Sequence, residues 1–201
     1  MDGRSTVADD PLVNNPDDTS RPPSTTPERQ VRWIPLVGRP LTALLAGDLA
    51  EAREQTGFDL PEFFVSEQAR RLWRYRFDQV TADPASAPWL VRAAVSEPDG
   101  AVVGYAGYHG PPDGNGMVEI GYTVVPEARR GGYARAMLRS LLVRAAEEPE
   151  VRVVRVTISP DNAASLATIR GFGFVETGEQ MDEVDGLEII YEVPADRILS
   201  A

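Results

Sequence analysis

The residues best suited to chemistry in this chain lie between Glu119 and Arg135. An apolar run that reads as a strand enters a glycine-containing loop, and the loop opens a helical pattern. The first N–H groups of a helix have no acceptor within it, and the helix dipole adds partial positive charge there. Main-chain amides from Arg130 through Gly131, Gly132, Tyr133 and Ala134 to Arg135 are therefore placed to wrap a diphosphate. Gly132 would let the backbone approach phosphate closely, because a Cβ would intrude, and small Ala134 serves the same need. Arg129, Arg130 and Arg135 bring positive charge to an acidic chain. A nucleotide P-loop would need a Gly-Lys-Ser/Thr step, and the chain has no lysine. The Gly-x-Gly-x-x-Gly dinucleotide fingerprint after a first strand is absent as well.

The elements that must hold this loop can be read from pattern and punctuation. Residues 1–28 are rich in Asp, Asn, Pro and Ser and poor in large apolar groups, which predicts a disordered tail before one domain over 29–201. Trp33 to Leu36 reads as a first strand. Pro40 opens a helical stretch to about Arg53, with Leu41, Leu44, Leu45 and Leu49 on one face. A second helix runs from Ser66, its cap, to about Val80, with Ala69, Leu72, Trp73, Phe77 and Val80 lining one side. Trp73 and Phe77 read as core, and Arg70, Arg71, Arg74 and Arg76 as the solvated face. Trp89–Ser96 and Ala101–Tyr108 form a hairpin around Glu97-Pro98-Asp99-Gly100. His109, after that hairpin, could take a proton at neutral pH but reads as a turn histidine. A strand over Met117–Val125, a helix over Gly132–Glu147 and a buried strand over Val151–Ile158 come next. A short helix from Asn162 to Arg170 and strands at Phe174–Thr177 and Leu187–Val193 complete the order β-α-α-β-β-β-α-β-α-β-β. This is an α/β (α+β) chain with a mixed, mostly antiparallel central sheet of about seven strands flanked by about four helices.

Composition excludes several kinds of chemistry. Cysteine is absent and His109 is the one histidine, so neither a thiol nucleophile nor a multi-histidine metal centre is expected. No apolar run is long enough to cross a bilayer and no secretory leader is recognisable, which makes cytoplasm the expected compartment. The formal net charge of −11 argues against nucleic acid as a partner. It mildly favours a cationic or amine acceptor, although its plain effect is solubility.

The loop resembles a known family. Arg129-x-x-Gly132-x-Ala134 matches the Gln/Arg-x-x-Gly-x-Gly/Ala signature of the GNAT superfamily of N-acetyltransferases, approached through Val124-Val125-Pro126-Glu127. A second region is similar to the family's strand, Asn-x-x-Ser helix and closing Gly-Phe: Val156 to Ile158, then Asn162 and Ser165, ending at Gly171-Phe172-Gly173-Phe174. The resemblance covers about Val102 to Phe174. It implies a GNAT-like fold and an enzyme that moves an acetyl group from acetyl-CoA to an amine by direct attack in a ternary complex. The loop from Arg129 to Ala134 would bind the pyrophosphate of coenzyme A. Pantetheine would lie where the strands Met117–Val125 and Val151–Ile158 splay apart, paired with the backbone of Thr123, Val124 and Val125. Asn162 would hold the pantetheine arm or the loop around it, and Ser165 would either join it or support the helix.

The family also suggests a base. Glu119 stands where histone-acetyltransferase relatives place a catalytic glutamate, with a structural or substrate-binding carboxylate as the other reading. The N–H of Val125, or of a close neighbour, would polarise the thioester carbonyl. The chain departs from the pattern in two places. Where many relatives carry a tyrosine that protonates the leaving thiolate, this chain has Ile169, and Tyr122 and Tyr133 are the possible substitutes. Arg130 replaces a common glycine and Gly131 a common basic residue. The missing tyrosine and the Glu-Ile-Gly-Tyr strand are similar to the ribosomal-protein-alanine-acetyltransferase-like branch. The resemblance thus implies an acceptor amine on a small molecule or a protein N-terminus, with a homodimer as one option for assembly. The missing tyrosine also keeps open a non-catalytic acyl-CoA sensor of the same fold.

Overall fold

The computed structural model describes residues 29–182 and 186–198. The tail expected over 1–28 lies outside the described residues. Seven strands form one sheet in the order β1-β2-β3-β4-β5-β7-β6. They are β1 (Val31–Pro35), β2 (Arg92–Ser96), β3 (Val102–Tyr108), β4 (Met117–Val124), β5 (Val153–Ile158), β6 (Val175–Asp182) and β7 (Gly186–Pro194). Every neighbouring pair is antiparallel except β4 and β5, which the crossover helix α4 (Tyr133–Glu147) makes parallel. The mixed, mostly antiparallel α/β architecture expected from the sequence is the one observed.

The expected helix over Pro40–Arg53 is two helices, α1 (Arg39–Ala46) and α2 (Leu49–Thr56). Gly47, at φ 81°, ends the first in the left-handed conformation, and Asp48 starts the second by accepting a hydrogen bond from the Glu51 N–H. Apolar spacing runs through the break, which is why periodicity alone did not show it. Ser66 caps α3 (Glu67–Ala82) as expected, through the Ala69 N–H. A 3-10 segment, Pro84–Trp89, ends at the first residue expected for the strand, and β2 begins at Arg92. The short helices α5 (Ala163–Ile169) and α6 (Ala195–Ile198) complete the described chain.

Apolar side chains collect in two clusters, one on each face of the sheet. On one face, Leu44, Phe64 and Trp73 from the α1–α3 region pack on Ala93, Val95 and Tyr105. On the other, Met137, Leu138, Leu141 and Leu142 of α4 pack on Val118, Ile120, Val154 and Val156. Side chains alternate along a strand. With Val118 and Ile120 committed to the α4 face, Glu119 points to the α3 face and Tyr122 back towards α4 and α5.

The registers around β4 create the feature that matters most. β4 and β5 pair only at Met117↔Val153, Val118↔Val154 and Glu119↔Arg155. Beyond that point β4 continues along β3 as far as Val124, while β5 continues along β7 as far as Ile158. The two parallel strands therefore diverge just past Glu119 and leave a gap within the sheet.

Candidate active site

The gap opens into a cleft of about 620 Å³ at the N-terminus of α4. Its walls include Tyr122, Thr123 and Val124 of β4, the loop from Ala128 through Arg130, the first turn of α4, and Asn162, Ser165 and Thr168 around α5. Ten of the expected cofactor residues meet here: Thr123, Val124, Arg129, Arg130, Gly132, Tyr133, Ala134, Arg135, Asn162 and Ser165. Gly131 lies in the same loop, packed against the Tyr133 ring.

The loop has the form that presenting amides requires. Arg130 adopts φ 60° and Gly132 φ 82°, both in the left-handed region, which interrupts a regular ladder. For Arg130 that conformation is strained, and such strain concentrates at functional sites. The Gly131 N–H, expected in the cradle, donates instead to Ala128 O at 3.3 Å. At Gly132 the demand is conformational. Within the protein, an added Cβ would meet nothing closer than Arg29 at 3.7 Å. No side chain caps α4 and its first turn has no acidic residue. The helical ladder begins with Ala136 donating to Gly132 O, which leaves the N–H groups of Tyr133, Ala134 and Arg135 ahead of it.

Several side chains stand differently from the sequence reading. Val125 is 2% exposed and its N–H donates to Val103 O at 3.0 Å. In an antiparallel ladder the bonded side alternates, so the main-chain groups of Val124 face the gap, while those of Thr123 and Val125, also expected to pair there, face β3. Arg129 Nε donates to Val124 O from that side, at 3.4 Å. The Arg135 guanidinium does not serve as free charge. It donates to Thr168 O and Arg170 O at 2.9 and 2.8 Å and stacks on Phe172, tying α4 to α5. Asn162 Oδ1 accepts from the Ser165 N–H at 3.1 Å and so caps α5 while lining the cleft.

The two tyrosines separate clearly. Tyr133 is buried and its hydroxyl pairs with Ser96 Oγ at 3.1 Å. Tyr122 places its hydroxyl, shielded from solvent and without a hydrogen-bond partner, in the wall of the cleft. Desolvation raises its pKa, opposed by the nearby Ser165 and Thr168 hydroxyls. Ile169 sits in the core beneath α4.

On the opposite face of the sheet, Glu119 accepts from the Thr157 hydroxyl at 2.7 Å, and its Oε1 lies 3.5 Å from His109 Nδ1. His109 is thus the carboxylate's neighbour and not an isolated turn residue. Desolvation by the surrounding protein lowers the imidazole pKa; Glu119 opposes this and Arg76 reinforces it. Arg76 corrects a second expectation. It is 5% exposed and donates to His109 O at 3.0 Å, beside Gln79 Nε2, which donates to the same carbonyl at 2.8 Å. Arg76 shares the helical spacing of the buried positions Ala69 and Trp73, which was the signal available for its burial. Nothing in the chain near His109 announced its partner, because Glu119 reaches it only through the β3–β4 register.

The residues fit a coenzyme carrying a diphosphate and an extended arm. They offer amides at a helix start, a strand edge turned to a gap, and an unpartnered phenol beside it. Comparison with known proteins agrees. The family model for the acetyltransferase (GNAT) domain matches residues 36–175. The chain is 31% identical over 87 residues to the uncharacterized N-acetyltransferase YjdG of Bacillus subtilis (strain 168), covering 43% of this chain. That match spans about half of the relative's length, 50%. Among solved structures, Mycobacterium smegmatis RimJ in complex with CoA-disulfide superposes with a TM-score of 0.57 at 21% identity, covering 85% of this chain and 87% of that one. Mutant forms of the spermidine/spermine N-acetyltransferase SpeG from Vibrio cholerae give 0.58 at 14% identity, covering 86% and 97%. The ribosomal-protein-S5-alanine acetyltransferase from Vibrio fischeri gives 0.54 at 14%, covering 85% and 95%. At these identities the likeness is one of fold.

Proposed function

The chain belongs to the GNAT acetyltransferase family, and from that premise we propose that it is an N-acetyltransferase that moves an acetyl group from acetyl-CoA to an amine in a ternary complex. The observation that carries this reading is the coincidence in one cleft of the α4 amide cradle and the gap where β4 and β5 part. When bound, acetyl-CoA would supply an acetyl group activated as a thioester. The N–H groups of Gly132 to Arg135, with Arg129 and Arg130, would hold the diphosphate. The main chain of Val124 would pair with the extended arm, Thr123, Asn162 and Ser165 would border it, and the Val124 N–H would polarise the carbonyl in the role first given to Val125.

The chemistry divides across the sheet. Glu119, on the α3 face, would take the proton from the amine as its nitrogen forms a bond to the carbonyl carbon. The carbon–sulfur bond breaks with its electron pair on sulfur. Tyr122, on the α4 face with its hydroxyl unpaired, is better placed than Tyr133 to give that sulfur a proton. The acceptor would approach from the α3 side. It would be a protein N-terminus or a small cationic amine.

Thiol release from acetyl-CoA over a panel of amines and N-terminal peptides tests the proposal. Glu119→Gln should lower kcat by roughly 10²–10⁴-fold while coenzyme A still binds. Absence of coenzyme A binding by the wild-type chain would end the reading. Binding without turnover on any amine would favour the acyl-CoA sensor instead.

A further inference from the structure

Glu119 needs somewhere to send a proton, and beside it, with the Thr157 hydroxyl, the structure places an imidazole. Resting on the transferase reading above, we propose that His109 is the proton exit of the site, receiving from Glu119 the proton taken from the amine and releasing it to water.

The pair runs from the interior to solvent. The Glu119 side chain is 17% exposed, while His109, 3.5 Å away through Nδ1, is 47% exposed. Such contacts are often loose before substrate binds. His109 is held from three directions. Its main-chain N–H donates to the main-chain carbonyl of Glu119 at 2.8 Å. Its main-chain carbonyl accepts from Arg76 Nη1 and Gln79 Nε2 of α3. Its ring lies over Gly121 of β4, where an added Cβ would stand 2.9 Å from Nε2. Burying an arginine is costly unless its hydrogen bonds compensate. Here two of those bonds go to the His109 carbonyl and to Gln79, which holds the same carbonyl. Arg76 is a positioning residue for the imidazole.

The proton inventory closes when both faces are counted. One proton leaves the amine nitrogen, resides on a Glu119 carboxylate oxygen, passes to His109 Nδ1 and departs to water, while Tyr122 regains from water the proton it gives to sulfur, so all three side chains return to their starting forms and no electron is exchanged. The charged groups facing the ring are Glu119 from β4 and Arg76 from α3. Arg76 and desolvation favour release of the proton, and Glu119 favours its arrival.

The test uses His109→Ala and Gly121→Ala in the full chain. His109→Ala should lower kcat by roughly 10²-fold with the dissociation constant for coenzyme A unchanged, and added free imidazole should restore part of the rate. Gly121→Ala should lower kcat by displacing a ring that is still present, and should not respond to imidazole. An unchanged kcat in His109→Ala, or a loss that imidazole leaves untouched, overturns the proposal. If the wild-type chain turns over while His109→Ala matches it, only this inference fails. If the wild-type chain acetylates no amine, both readings fail.

Discussion

At the scale of single residues, the acceptor side of the sheet rests on groups whose meaning comes from their neighbours. Arg76 would pass for a solvated arginine until its guanidinium is found under His109 O. His109 would pass for a turn residue until Glu119 is found beside it. The lowered imidazole pKa has a consequence for stability. Between the folded value and about 6.5, the unfolded chain binds a proton that the folded chain does not. Stability therefore rises with pH through this window and falls on acidification. The loss begins as pH drops below about 6.5 and is complete below the folded value. Urea midpoints measured at about pH 7.5 and about pH 5.5 should fall less for His109→Gln than for the wild-type chain. An equal fall in both would show that the imidazole carries no such linkage.

At the scale of elements, the decisive unit is the turn from β4 into α4. Val125 is closed off by β3, Arg130 and Gly132 take left-handed conformations, and α4 begins without a side-chain cap. A loop built this way exchanges local stability for a set of amides held towards one point. Gly132→Ala places a Cβ on a residue at φ 82°. The strain should cost about 1–2 kcal/mol of stability, read by urea unfolding. It should also weaken coenzyme A binding measured by calorimetry, because the amides of α4's first turn would shift. Unaltered affinity would separate the loop conformation from binding.

At the scale of the whole molecule, two apolar layers clamp the sheet from either face. The layer under α1–α3 centres on Trp73, fully buried, edge-on to Tyr105 at 4.9 Å, with its indole N–H donated to Phe64 O. Trp73→Ala should cost about 3–5 kcal/mol, a large part of the ~5–15 kcal/mol typical of a domain. A denaturant titration would show it as a lower midpoint. The change lies on the α3 face, so it should also loosen Arg76, three residues further along the same helix. The loss of kcat at permissive temperature should then exceed the loss of coenzyme A affinity.

What the sequence determined by itself was whatever depends on near neighbours along the chain. Helical spacing placed Met137, Leu138, Leu141 and Leu142 in the core. A serine ahead of an apolar face marked the start of α3. The strand–glycine–helix signal located the cradle, and the resemblance supplied its expected ligand. Tertiary structure alone decided which atoms face which. It turned Val124 and not Val125 to the gap, spent the Arg135 guanidinium on α5, and split the Pro40–Arg53 stretch at Gly47. It brought Arg76 to His109 across 33 positions and Thr157 to Glu119 across 38. The reason is physical. Propensity, capping and periodicity are set within a few residues, whereas ladder side, strand divergence and side-chain pairing depend on register and docking between segments that only the folded chain brings together.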